Sequence, residues 1–233
     1  MLAGAVAATG VQVGPAATWL PAVRRTLTPS LLGRGNPSSV AVTLDDGPHP
    51  EGTPAVLDAL DELGWTATFF VLGVEARRYP DIVREAGRRG HEIALHGDEH
   101  RYLIARAPWT AYDDLARARD SVADIAGGEP QWWRPPYGVL SGPGLLAARR
   151  LGLRPVLWSA WGRDWRADAT AATVVEDLTA TPLSGATLLL HDSDVTSAPG
   201  SWRTAVAALP MLAQHVAAQR LHAVALRDHG VRA

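Results

Sequence analysis

Short apolar runs of strand character recur at 39–44, 67–72, 92–96, 154–159, 186–190 and 222–226, with a briefer one at 131–134, and helix-like patterns lie between several of them. This alternation constrains the fold more than any other feature. The helical patterns run from Thr53-Pro54 through Leu63, Tyr79 through Arg89, Trp109 through Ile125, Ser141 through Leu151 and Ala205 through Gln219, with Thr53 placed as an N-cap before Pro54. Strands separated by helices call for a parallel sheet, because a parallel neighbour is reached only by a crossover. With 233 residues, 47% of them hydrophobic, and no break in composition after residue 38, the chain can bury one sizeable core over 38–233.

The first run ends in Asp45-Asp46-Gly47-Pro48. Two adjacent carboxylates at a frayed strand end can face different ways, one toward a metal and its neighbour toward water or substrate. The bland alternative is a polar strand exit in which both acids bond the turn or cap the next helix. The run at 92–96 leads into His96-Gly97-Asp98-Glu99-His100, which places two imidazoles four residues apart. On one turn such a pair can share a cation, although Gly97 and the position of Glu99 separate this segment from the HExxH pattern. Joined to Asp46, the pair would make a His, His, carboxylate set with coordination positions left for water and substrate.

Three later segments complete an ordered set: Arg134-Pro135-Pro136-Tyr137-Gly138, Asp164-Trp165 and Leu189-Leu190-His191. Singly, each has a bland reading as a loop cap, a helix N-cap or a strand end. In order and spacing, the five blocks resemble the polysaccharide deacetylase family, also called carbohydrate esterase family 4 or the NodB homology domain, over roughly residues 38 to 230. The resemblance implies a distorted, incomplete (β/α)7 barrel. It implies Asp45 as catalytic base, Arg134 orienting it, and Asp46, His96 and His100 holding a divalent metal. It further implies His191 as general acid oriented by Asp164, Leu189 and Trp165 as walls of the acetyl pocket, and a backbone N–H of Tyr137 for the oxyanion. Zinc is the favoured metal, with cobalt and nickel compatible with the same ligands.

The expected activity is hydrolysis of N-acetyl groups on GlcNAc-type units of a peptidoglycan or chitin-like glycan. The alternatives are an O-acetyl (xylan-type) esterase, a small-amide deacetylase, or a catalytically silent sugar-binding protein of the same fold. Three positions depart from the family's habit: Gly97 where Ser or Thr is usual, Trp161 where an Asp is common, and Leu44 in place of Phe. None removes an implied ligand or catalytic group.

A net charge of −2 with scattered basic residues argues against nucleic acid as a partner. Nine tryptophans include Trp132, Trp133, Trp158, Trp161 and Trp165 near the later blocks, where rings can either pack or stack on sugars. His49 lies beside the acidic turn, within reach of substrate, and no partner is evident for His91, His215, His222 or His229. The absence of cysteine excludes disulfides and thiolate chemistry. Segment 1–37 is apolar up to Arg24-Arg25 but interrupted by Gly and Pro, and reads as a packed arm or the remainder of a trimmed membrane or signal segment. A monomer is expected, in the cell envelope or outside the cell by family resemblance, with the cytoplasm left open because no clear signal peptide is present.

Overall fold

The computed structural model describes residues 12–105 and 107–231. Eight parallel strands form its sheet: β1 (Ser39–Asp45), β2 (Thr68–Leu72), β3 (Glu92–Gly97), β4 (Trp132–Trp133), β5 (Arg154–Pro155), β6 (Ala160–Trp161), β7 (Thr187–His191) and β8 (His222–Val224). Their order is β5-β4-β3-β2-β1-β7-β6, with β8 added on β1. That path is the cyclic order of a seven-stranded barrel opened at one seam, because β5 and β6 do not pair although only residues 156–159 join them. The expected incomplete barrel is therefore present, and β8 is the addition. It pairs with Ser39–Ala41 at the start of β1, whereas β2 pairs with Thr43–Asp45 farther along.

Side-chain alternation explains what faces where. In β1, Val40, Val42 and Leu44 join the large cluster shared with the surrounding helices, each burial contributing roughly 1.5–3 kcal/mol. Ala41 faces the other way, into a smaller cluster with Phe70, Ala94, Trp132, Val156 and Leu226 inside the curl. Farther along, the same inward faces carry Asp45 on β1, four residues past Ala41, and His96 on β3, two past Ala94, and the residue after β4 is Arg134. The apolar layer is thus the floor on which the polar residues at the strand ends stand.

The sequence pattern misplaces some boundaries. Of the run at 154–159 only Arg154–Pro155 is strand, and the next strand, Ala160–Trp161, begins just past it; between them the Leu157 N–H donates to the Leu31 carbonyl at 2.8 Å. The helix Ala171–Thr179 has no counterpart in the expected pattern, although Thr170 and Thr173 form a capping box at its start. Thr53 is not an N-cap. The helix begins at Gly52, and His49 caps it, its Nδ1 accepting from the Glu51 and Gly52 N–H groups at 3.2 and 2.9 Å.

Of the apolar N-terminal segment, residues 1–11 lie outside the described residues. The rest forms short helical turns, including Gly14–Trp19 and Pro21–Leu27, and covers the open seam. Arg24 donates to the Trp158 carbonyl at 3.3 Å, and Leu31 belongs to the main core. No helix among the described residues is long and apolar enough to cross a membrane.

Candidate active site

At the C-terminal end of the strands lies a cavity of about 380 Å³. Asp45, Asp46, His96, His100, Tyr137, Trp165, Leu189 and His191 all line it, joined by Trp19, Tyr102, Trp158, Trp161 and Thr196. Arg134 and Asp164 stand behind this lining, 0% and 1% exposed. All ten residues singled out in the sequence are brought together.

A trio that could hold a metal stands on two strand ends and a loop: Asp46 follows β1, His96 lies in β3 and His100 in the loop after it. Asp46 leaves β1 with a left-handed φ of 78°, which turns its carboxylate toward the cavity. Its Oδ1 lies 3.2 Å from Nε2 of His96 and 3.2 Å from Nε2 of His100, and all three ligand atoms lie within 4.8 Å of one another. This Oδ1 is nevertheless a buried atom with no satisfactory hydrogen bond. Ligand atoms on a tetrahedral ion at about 2.0–2.1 Å sit about 3.3–3.4 Å apart, so the three groups converge on a shared point rather than on each other. Around them the remaining groups are fixed. His96 Nδ1 donates to the Arg134 carbonyl at 2.9 Å, which leaves Nε2 with its lone pair, and Thr196 Oγ1 donates to Asp46 Oδ2 at 3.0 Å. Burial raises the Asp46 pKa, but the His100 and His96 contacts outweigh it and hold the carboxyl well below its usual range. The residues present suit a divalent cation.

Asp45 is held differently. The buried Arg134 guanidinium donates to Asp45 Oδ1 at 2.6 Å, to Thr43 Oγ1 at 2.8 Å and to the Leu157 carbonyl at 2.8 Å, and it stacks over Phe70 at 4.1 Å. One carboxylate oxygen is thereby occupied, and Oδ2 faces the imidazoles, 3.8 Å from His96 Nδ1. On the adjacent strand end, His191 donates twice to Asp164: its backbone N–H to Oδ2 at 2.7 Å and its ring Nδ1 to Oδ1 at 2.9 Å. Nε2 is then the nitrogen left for the cavity. Burial alone would lower the His191 pKa, but Asp164, with smaller contributions from Asp46 and Asp45, raises it to about 10.

The sequence profile for polysaccharide deacetylases matches residues 33–156, more than half of the chain. This chain belongs to the polysaccharide deacetylase family. A chitooligosaccharide deacetylase of Azorhizobium caulinodans is 37% identical over 169 residues, covering 70% of this chain and 80% of that protein. The peptidoglycan-N-acetylglucosamine deacetylase PgdA of Listeria monocytogenes is 33% identical over 159 residues, covering 68% of this chain but only 33% of its own length. Among solved structures, the Bc1960 peptidoglycan N-acetylglucosamine deacetylase superposes with a TM-score of 0.77 at 27% identity, covering 86% of this chain and 92% of that one. A family 4 carbohydrate esterase from Streptomyces lividans, solved with acetate, gives 0.73 at 27% identity over 84% and 97%.

Several residues of this deacetylase-family site escaped the sequence reading. Gly97, in place of Ser or Thr, has φ 121°, where a side chain is strained, and the loop is braced by its neighbour instead. Asp98 accepts from Arg77 Nη1 at 2.7 Å and Arg117 Nε at 2.6 Å, and its N–H donates to Asp114 at 3.3 Å. Under the acidic turn, the buried Asp192 accepts from the Thr53 hydroxyl, and a Cβ on Gly47 would lie 2.2 Å from its Oδ2. Burial pushes the Asp192 carboxyl up to about 7, with Asp46 and Asp45 adding to the rise against the Thr53 bond. The expected substrate reach of His49 is not seen, because its Nδ1 caps a helix and its Nε2 lies 3.4 Å from Asp194. His91 and His229 are likewise structural, bonding the Ala67 N–H at 3.2 Å and Ser39 Oγ at 2.8 Å.

Proposed function

We propose that the protein is a metal-dependent deacetylase that hydrolyses the N-acetyl group of a GlcNAc-type unit in a chitin-like or peptidoglycan glycan, leaving free amine and acetate. The observation that carries this reading is the juxtaposition of Arg134-held Asp45 and Asp164-held His191 in a cavity that also contains the Asp46, His96, His100 trio. Relatives named for chitooligosaccharide and for peptidoglycan N-acetylglucosamine support the substrate class.

Asp46, His96 and His100 would hold the divalent ion, with zinc preferred and cobalt or nickel accepted by the same donors. When bound, such an ion polarises the acetyl carbonyl and acidifies water, to a pKa of about 7 in favourable zinc sites. Asp45 takes the proton of the attacking water at Oδ2, while Arg134 keeps Oδ1 in place and the carboxylate charged. We assign the backbone N–H of Tyr137, a residue of left-handed φ (59°) on the cavity wall, to the oxygen that gains charge. His191 gives the Nε2 proton to the departing nitrogen as the C–N bond breaks, since an amide anion cannot leave unprotonated. Asp164 fixes the tautomer and holds that proton at neutral pH. Leu189 and Trp165 shape the wall against the acetyl methyl.

We also assign residues 38–233 as the catalytic domain, with 1–37 as an arm that serves it. A glycan substrate of this kind fits work at the cell envelope. The test is acetate release from N-acetylglucosamine oligomers by protein stripped with chelator and reloaded with Zn²⁺ or Co²⁺. Metal-restored release supports the reading; a fully loaded protein that binds the oligomers and releases nothing would favour the silent sugar-binding alternative, and release from O-acetyl xylan alone would favour the esterase.

A further inference from the structure

A second cavity, of about 550 Å³, shares the walls Trp19, Trp158 and Trp161 with the catalytic one. Its chemistry is one-sided. Arg24, Arg25, Arg34 and Arg163 line it, and the one carboxylate in its wall, Asp177, is shared between Arg163 and Arg166 at 3.4 Å each. Arg24 is only 5% exposed, yet among the described residues no carboxylate pairs with it; its contacts are the Trp158 and Trp19 carbonyls and the Trp158 ring at 5.1 Å. A buried cation without a counter-charge is costly.

Three polar atoms in the same wall strengthen the point. Arg24 Nε, Trp161 Nε1 and Thr181 Oγ1 are all buried without a hydrogen-bond partner in the protein. Two are obligate donors and the third can donate. These atoms lie just behind the wall; the donors exposed to the cavity are the guanidinium forks of Arg25, Arg34 and Arg163, which match carboxylate geometry. The shared tryptophans mean that a guest here adjoins whatever occupies the catalytic cavity.

We propose that this cavity is an anion-accepting subsite of the substrate cleft, receiving the carboxylate of an acidic sugar next to the unit being deacetylated. The inference rests on the glycan deacetylase reading and narrows it to an acidic glycan. It also gives the N-terminal segment a part in choosing substrate, because Trp19, Arg24 and Arg25 precede the stretch matched by the family profile.

The experiment compares two tetrasaccharides of alternating N-acetylglucosamine and lactyl-ether sugar, one with free carboxylates and one with those groups converted to carboxamides. For the wild type, kcat/KM should favour the carboxylate by at least about tenfold, and Arg25→Gln and Arg163→Gln should each cut that ratio several-fold. Arg24→Gln should bring it near one; should this variant not fold, the two rim arginines carry the test. A wild-type ratio of one, or variants that lower both substrates equally, would overturn the subsite. Failure of the deacetylase reading shows separately as no acetate from either compound. Titrating tryptophan fluorescence then still decides, with tenfold tighter binding of the carboxylate form by wild type but not by Arg25→Gln as the supporting result. Inorganic phosphate changing the fluorescence as fully as the carboxylated sugar would mark a free-anion site and reject the glycan subsite.

Discussion

Asp45 at the end of β1 and His191 at the end of β7 are register partners on adjacent parallel strands. Neighbouring strands lie about 4.8 Å apart, so the two side chains rise from the same face of the sheet within one strand spacing. The proposed proton acceptor and proton donor are therefore positioned by strand pairing itself. Each is then locked from behind by a fully buried partner of opposite charge, Arg134 for the acid and Asp164 for the imidazole.

Replacing Asp45 with Asn keeps the shape and removes the proton acceptor. Turnover of the metal-loaded enzyme should fall by about 10²–10⁴ while metal content stays at the wild-type level, since Asp45 is not among the ligating trio. Elemental analysis beside an acetate assay checks both; loss of the metal would place Asp45 in the ligand set instead.

His191→Ala should lower amide cleavage by a similar factor and spare metal binding. Aryl acetates, whose phenolate leaves without a proton, should lose much less. Equal losses on both substrate types would argue that His191 acts on attack rather than departure.

Asp164→Asn should lower the His191 pKa from about 10 toward its ordinary 6.5, moving the alkaline limb of the kcat profile to lower pH. A cation at Asp46 cancels part of that carboxylate's contribution, so the wild-type limb of the loaded enzyme should lie below 10. Stability follows the same linkage. A raised His pKa stabilises the fold fully below the unfolded value and loses that contribution as pH rises through the folded one. The metal-free wild type should thus lose melting temperature between pH 6.5 and about 10 more steeply than Asp164→Asn.

Thr196→Val deletes the hydroxyl that donates to Asp46 Oδ2. Partners of a ligating carboxylate commonly carry 10–100-fold in metal affinity, so the zinc Kd should rise by about tenfold or more with little change in the melting of the metal-free protein. Competition with a chromogenic chelator measures it.

Asp192→Asn probes the buried acid beneath the turn. Between about pH 4 and 7 the unfolded chain has released this proton while the fold retains it, so stability falls as pH rises through that window. The variant removes the penalty. Its melting temperature relative to wild type should climb from pH 4 to pH 8, and a difference that shrinks over that range would contradict the assignment.

Much of this site was legible because its residues close apolar runs, and strand ends are where a parallel sheet presents side chains to a ligand. Asp45, His96 and His191 needed no long-range information. Asp192, Thr196 and the Arg77, Asp98, Arg117 brace did: Asp192 meets Thr53 across 139 positions and Thr196 meets Asp46 across 150, separations that no local pattern encodes. The helix Ala171–Thr179 was hidden by Thr173, Val174 and Val175, whose branched side chains favour a strand. The run at 154–159 read as one strand because apolar content does not reveal that the sheet stops pairing at the seam.

β1 is hydrogen-bonded along both edges, by β7 on one side and by β8 and then β2 on the other, and all seven of its residues are buried. Its amide protons have no local opening through which to exchange with solvent, so they should be among the last in the molecule to take up deuterium and do so only through global unfolding. The Asp45-Asp46 pair is rooted in that slowest-exchanging segment. Heat inactivation should therefore coincide with loss of the whole fold, leaving no temperature range in which a folded chain has already lost its site.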